Sequence, residues 1–191
     1  MSWLLFGLLL LLVSGIVLTL WSEWKVRRND RWAKDLLPPG LNVAQIRHVN
    51  VSNWRFAIGP GGNEAGFLVY DMAPEFSAKL DSNALEYLSS ALPVGSHERR
   101  LDWTSTPLQA GDKGFTCGRY VVQEGSRQQA CEDVLQFAQK YWTLPENSQT
   151  PEFGAQANQA LFQEGSFFAF TRIGLVILSP RDLRIFYAFR G

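Results

Sequence analysis

Residues 3–20, WLLFGLLLLLVSGIVLTL, carry no charge. Eighteen residues of helix rise about 27 Å, which matches the hydrocarbon core of a bilayer. Trp3 and Phe6 stand at one end of the run, and Trp21 and Trp24 at the other. Aromatic rings with a polar edge settle at headgroup level, so the pattern predicts a single spanning helix with a belt at each boundary. A cleaved signal peptide is the rival. It needs a positive leader, a shorter apolar stretch and small residues at the cleavage site. Only Met1 and Ser2 precede this run, and the exit Thr19-Leu20-Trp21-Ser22-Glu23-Trp24 is bulky. The expectation is an uncleaved span.

Lys25, Arg27, Arg28, Arg31 and Lys34 follow the run, and no Lys or Arg precedes it. The positive-inside rule then places the C-terminal domain in the cytoplasm, with a periplasmic domain as the alternative. Nothing breaks a helix before Pro38-Pro39, so the helix is expected to continue through the basic stretch. The basic side chains there are expected to anchor to anionic headgroups. Trp3, Trp21, Trp24, Lys25, Arg27, Arg28 and Arg31 are the candidate membrane-interface residues. The domain plan is therefore a transmembrane helix with a basic extension over 1–37, a linker over 38–42, and one soluble domain over 43–191.

That domain is large enough to bury a core without staples. The whole chain is 46% hydrophobic and 13% aromatic, with 18 basic and 18 acidic residues. A zero net charge lacks the basic face that a general nucleic-acid binder needs. The expected partners are the lipid bilayer and another membrane or membrane-associated protein, with no nucleic acid and no cofactor.

Local patterns predict an α+β domain, an antiparallel sheet with helices packed on one face. Strands are expected at Val43–Val51, Asn53–Ile58 and Gly66–Met72, the last with Leu68, Tyr70 and Met72 on one face. A helix should start at Pro74, where proline is tolerated, and bury Phe76, Leu80, Ala84, Tyr87 and Leu88, with a break at Asp81-Ser82-Asn83. A short strand is expected within 101–106 and another over 117–123. Ser126, with Gln129 three residues on, has the form of a capping box. It predicts a helix over 126–142 with Cys131, Val134, Leu135, Ala138, Tyr141 and Trp142 on its apolar face. A further helix over 151–164 should bury Phe153, Ala157, Ala160, Leu161 and the stem of Glu164. The C-terminus runs from Ser166–Arg172 through Gly174 into Leu175–Leu178, turns at Ser179-Pro180-Arg181-Asp182, and then alternates at Leu183, Ile185, Tyr187 and Phe189. It predicts a three-stranded meander.

Cys117 and Cys131 are the only two cysteines. With Cys117 opening a strand and Cys131 inside a helix, their Cα atoms would be separated by more than the roughly 7 Å that a disulfide allows. Free thiols are the expectation, in agreement with a cytoplasmic domain.

No motif carries chemistry above its ordinary structural explanation. The glycine loop at 59–66 lacks the Lys of a phosphate loop and leads into a strand, so it is a hairpin loop. His48 and His97 are too far apart in sequence for an H-x-x-x-H metal pair. A nucleophile could be assembled from Cys117, His97 and Asp102, supported only by Gly118 beside the thiol. Arg99, Arg100 and Trp103 form the strongest candidate for partner contact, because arginine with an aromatic residue is typical of binding surfaces. The alternative for Trp103 is a ring that covers the core from a loop. The functional expectation is a non-catalytic, membrane-anchored protein-interaction domain: an accessory subunit, assembly factor or inhibitor-like factor. The alternatives are a periplasm-facing protective or immunity-type protein and a membrane-bound hydrolase using Cys117.

Overall fold

The computed structural model describes residues 14, 31–38, 40–51, 65–91, 101–109, 117–123, 126–131, 133–139 and 150–190, with 117–123 and 126–131 described as backbone. The chain divides into two compact units, Met1–Leu37 and Pro38–Gly191. In the first, Ser14 and residues 31–35 are helical. The rest of the apolar run, and the tryptophans at its ends, lie outside the described residues. Among the described residues no helix is long and apolar enough to cross a membrane.

The second unit is built on a six-stranded antiparallel sheet in the order β1-β2-β8-β7-β6-β3. The strands are β1 (Val43–Val51), β2 (Ala65–Met72), β3 (Thr104–Ser105), β6 (Phe167–Phe170), β7 (Gly174–Ser179) and β8 (Arg184–Arg190). β4 (Cys117–Gln123) and β5 (Ser126–Cys131) form a separate two-stranded sheet. Among the described residues of this unit the helices are α1 (Pro74–Ala91), α2 (Val134–Gln139) and α3 (Thr150–Phe162). The domain is thus α+β with an antiparallel sheet.

Register explains the core. Phe67, Ala188, Leu175 and Phe170 stand opposite one another across β2, β8, β7 and β6; so do Val69, Phe186, Ile177 and Phe168 in the neighbouring row. Both rows share one face, because side chains two apart on a strand do so. Val134, Phe137 and Ala138 of α2 and Ala157, Ala160 and Leu161 of α3 pack into the same cluster. The other face is also closed to water: Leu68, Tyr70, Val176, Leu178, Ile185 and Tyr187 are all buried. Strands buried on both faces are apolar almost throughout rather than alternating, and β7 (GLVILS) is buried at every position.

The meander turns where its proline lies. Leu183 N–H donates to Pro180 O at 3.2 Å, and Ser179 Oγ donates to Asp182 Oδ2 at 2.7 Å. α1 starts at Pro74 and is tied to this turn by Ser77 Oγ, which donates to Pro180 O at 3.2 Å. Its buried stripe is Phe76, Leu80, Ala84 and Leu88, with Tyr87 half-buried. Asn83 leaves helical geometry (φ −158°, ψ 54°), which breaks the helix there, and its side-chain amide donates to the Glu86 carboxylate across the break.

Two expectations are corrected. Residues 126–131 are strand, not helix, and the helix of this region is short, Val134–Gln139. Its cap is Asp133, whose Oδ1 accepts from Gln136 N–H at 2.6 Å. Asn158 Oδ1 accepts from Val134 N–H at 2.8 Å, which satisfies a second of the orphan donors at a helix start. Glu164 is exposed and lies beyond the end of α3. The chain turns into β6 there through Gly165, at φ 100°. The expected strand Asn53–Ile58, the glycine loop up to residue 64, and Trp142 lie outside the described residues.

Candidate functional site

Two of the candidate residues, Asp102 and Trp103, lie in the described segment 101–109, which is anchored at several points. β3 pairs Thr104 with Phe168 and Ser105 with Phe167. Thr106 N–H donates to Ser166 O at 2.9 Å. In return Ser166 N–H donates to Thr106 Oγ1 at 3.0 Å, and Thr106 Oγ1 donates to Ser166 O at 3.1 Å. Leu108 N–H donates to Leu161 O at 2.9 Å. These bonds pin the segment along β6 and the end of α3.

Trp103 precedes β3 directly and is only 8% exposed. Its ring is part of the covering of the core, not a projecting anchor. Its indole Nε1 is a buried donor with no hydrogen-bond partner among the described residues, an arrangement that costs free energy because the N–H has given up water. Asp102 beside it is exposed. Arg99, Arg100 and His97 lie outside the described residues. Of the expected contact set, the structure therefore places Trp103 alone, and places it inward.

The nucleophile assembled from Cys117, His97 and Asp102 gains no geometry. Cys117 opens β4, and its backbone partner across the hairpin is Cys131. Among the described residues no group of three or more His, Cys, Asp or Glu is placed to hold a metal ion. The geometric case for well-separated thiols is also overturned, since it rested on Cys131 lying in a helix.

Two polar features stand out on β1 and β2; of their residues the sequence offered only His48, and that only as half of a metal pair. Asp71 on β2 accepts from two arginines: Arg47 Nε on β1 lies 2.7 Å from Oδ2, and Arg184 on β8 bonds Oδ1. Arg47 is half exposed and Asp71 only 15%, so the pair with Arg184 is the better shielded from solvent. His48 on β1 is buried with its ring centroid 5.2 Å from that of Phe153 and 6.4 Å from that of Phe67. Burial pushes its pKa below the ordinary 6.5, because desolvation penalises the cation. Burial also pushes the Tyr70 phenol up, with Tyr187 adding to it. The sequence hid the burial of His48: His48 and Asn50 are buried while Val49 between them is exposed, the reverse of what hydrophobic alternation predicts.

Of the membrane-interface candidates, Arg31 is helical and exposed; Trp3, Trp21, Trp24, Lys25, Arg27 and Arg28 lie outside the described residues. The chain matches no protein-family model, no curated protein and no solved structure.

Proposed function

We propose that this chain is a non-catalytic, membrane-anchored protein-interaction domain, acting as an accessory subunit, assembly factor or inhibitor-like factor beside a second membrane or membrane-associated protein. The observation that carries this reading is the uncharged run Trp3–Leu20, bounded by tryptophans and followed by a basic stretch, attached to a compact α+β domain. A run of that length and composition has its lowest free energy across a bilayer. An anchored domain works where the anchor holds it. The contact surface is assigned to the neighbourhood of Arg99 and Arg100. Because Trp103 is buried, its replacement tests folding as much as binding, and the arginines are the cleaner probes.

The test is purification of the full-length chain through a C-terminal tag from detergent-solubilised membranes. A partner should co-purify stoichiometrically with the wild type and be lost from R99A/R100A while the tagged chain stays folded. A chain that elutes alone, or that alkaline carbonate strips from the membrane, overturns the reading. An activity abolished by Cys117→Ser would favour the hydrolase alternative instead.

A second reading concerns the side of the membrane. The basic stretch after the apolar run supports a cytoplasmic domain. The strand register of Cys117 and Cys131 favours the periplasm-facing alternative. A reporter fused to the C-terminus, active on one side only, distinguishes the two.

A further inference from the structure

The β4–β5 hairpin brings together the only two cysteines of the chain. Its register runs Gln123↔Ser126, Val122↔Arg127, Val121↔Gln128, Tyr120↔Gln129 and Arg119↔Ala130. Continued without interruption, that register would set Gly118 opposite Cys131 and leave Cys117 past the end of the strand. The register instead shifts between Cys117 and Arg119, and the pair that closes the open end is Cys117↔Cys131. The residue left over by the shift is Gly118. An extra residue on one strand of an antiparallel pair is a bulge, a device that re-aims the positions around it. Here it puts one cysteine opposite the other.

Directly opposed residues of an antiparallel pair have Cα atoms about 4.5–5.5 Å apart. A disulfide requires roughly 4.4–6.8 Å. The ribbon also has reason to need a covalent tie. It is two-stranded and separate from the main sheet, and a two-stranded hairpin is at best marginally stable in water. Its second strand, Ser-Arg-Gln-Gln-Ala-Cys, offers little apolar surface to bury. The pair Gln123↔Ser126 stands at one end of the ribbon, and the cysteine pair lies at the other.

We propose that Cys117 and Cys131 form an intramolecular disulfide that staples the open end of this hairpin, and that the domain faces an oxidising compartment. In forming it, two thiols lose two protons and two electrons as one S–S bond is made. A disulfide oxidant takes up both by thiol–disulfide exchange and leaves as a dithiol. Structural disulfides persist outside the cytosol, where thiols are not kept reduced. The proposal goes beyond the contact function and does not depend on it.

The test uses the full-length chain in its own membranes. Cells are quenched in acid and free thiols are blocked with N-ethylmaleimide. The sample is then reduced and treated with a polyethylene-glycol maleimide, which slows migration once per newly exposed thiol. The wild type should shift by two labels, and by none if the reductant is omitted. Non-reducing peptide mapping should recover the Cys117 and Cys131 peptides linked to each other. Cys117→Ser should leave Cys131 open to the first alkylation. Should that variant fail to accumulate, the wild-type labelling still decides. Complete blocking of both wild-type thiols before reduction overturns the proposal, as does a disulfide-linked dimer abolished by Cys117→Ser. Neither outcome touches partner co-purification, so the contact reading stands or falls separately.

Discussion

The ring of Phe189 lies over Gly66: a Cβ at position 66 would come within 2.3 Å of Phe189 Cε1 and 2.5 Å of Cζ. The two are register partners on β2 and β8. Phe189 also faces Gly174 on its other side, on β7. Its ring thus covers Gly66 in the way an aromatic ring covers glycine in designed sheets, while a Cβ at Gly174 would meet the Ala188 carbonyl, Phe189 Cβ and the Tyr187 ring. Gly66→Ala should destabilise the domain by about 1–3 kcal/mol through overpacking, read as a lower urea midpoint. Adding Phe189→Leu should recover part of that loss, since the two positions share one space. Gly174→Ala should cost more, because its Cβ would also meet the Ala188 carbonyl at 2.5 Å, and a backbone atom cannot swing aside. An unchanged midpoint for Gly66→Ala would refute this packing.

Thr106 and Ser166 exchange three hydrogen bonds, and both residues are buried. Thr106→Val keeps the shape but removes the acceptor of the Ser166 N–H. A buried donor left without an acceptor costs about 1–3 kcal/mol. Thr106→Ser retains the hydroxyl and should lose less than half as much. Chemical denaturation of the three proteins measures this. Equal losses for Val and Ser would show that the methyl group, not the hydroxyl, is what matters here.

His48 gives the domain an acid-side sensitivity. Its folded-state pKa lies below the ordinary 6.5, so between those two values the unfolded chain binds a proton that the folded chain does not. Stability contributed by the neutral ring is therefore present above about pH 6.5 and is lost as pH falls through the folded-state value. The slope from one such group is at most about 1.4 kcal/mol per pH unit. Melting temperature should fall as pH is lowered from 7.5 to about 5.5, and His48→Phe, which retains a ring to pack on Phe153, should flatten that fall. A His48→Phe protein with the wild-type pH profile would remove His48 from the explanation.

Local pattern made much of this fold legible. β1 spans Val43–Val51 as the sequence suggested, the meander of β6, β7 and β8 forms from its apolar runs and proline turn, and α1 breaks at Asn83. The pairing of β2 with β8 was invisible, because it joins segments from opposite ends of the domain and periodicity carries only local information. The β4–β5 hairpin was misread for a physical reason. Cys131, Val134, Leu135 and Ala138 do have helical spacing, and α2 uses the later three; Ser126 and Gln129 imitate a capping box and drew the helix back by eight residues, to Ser126 from Val134. Ser126-Arg-Gln-Gln-Ala has no alternation to announce a strand. The available sequence signal for a hairpin is the pair Glu124-Gly125 between the two stretches. The candidate site shows the same limit. Trp103 follows a loop-rich stretch and so suggested a surface ring, but Thr106, Ser166 and Leu161 hold its segment against the domain.

Trp103 can be used to separate folding from contact. Trp103→Ala removes a buried ring and should cost about 3–5 kcal/mol. Trp103→Phe removes the indole N–H, which has no partner among the described residues, together with part of the ring. The relief of an unsatisfied donor offsets some of the lost packing, so the cost should stay under about 1.5 kcal/mol. If the ring serves the core and Arg99 and Arg100 serve the partner, Trp103→Phe keeps wild-type partner capture while R99A/R100A loses it at full stability. Urea midpoints and co-purification on the same set of proteins read both properties. Loss of capture by Trp103→Phe at near-wild-type stability would instead make the indole itself part of the contact surface, exposed when the partner docks.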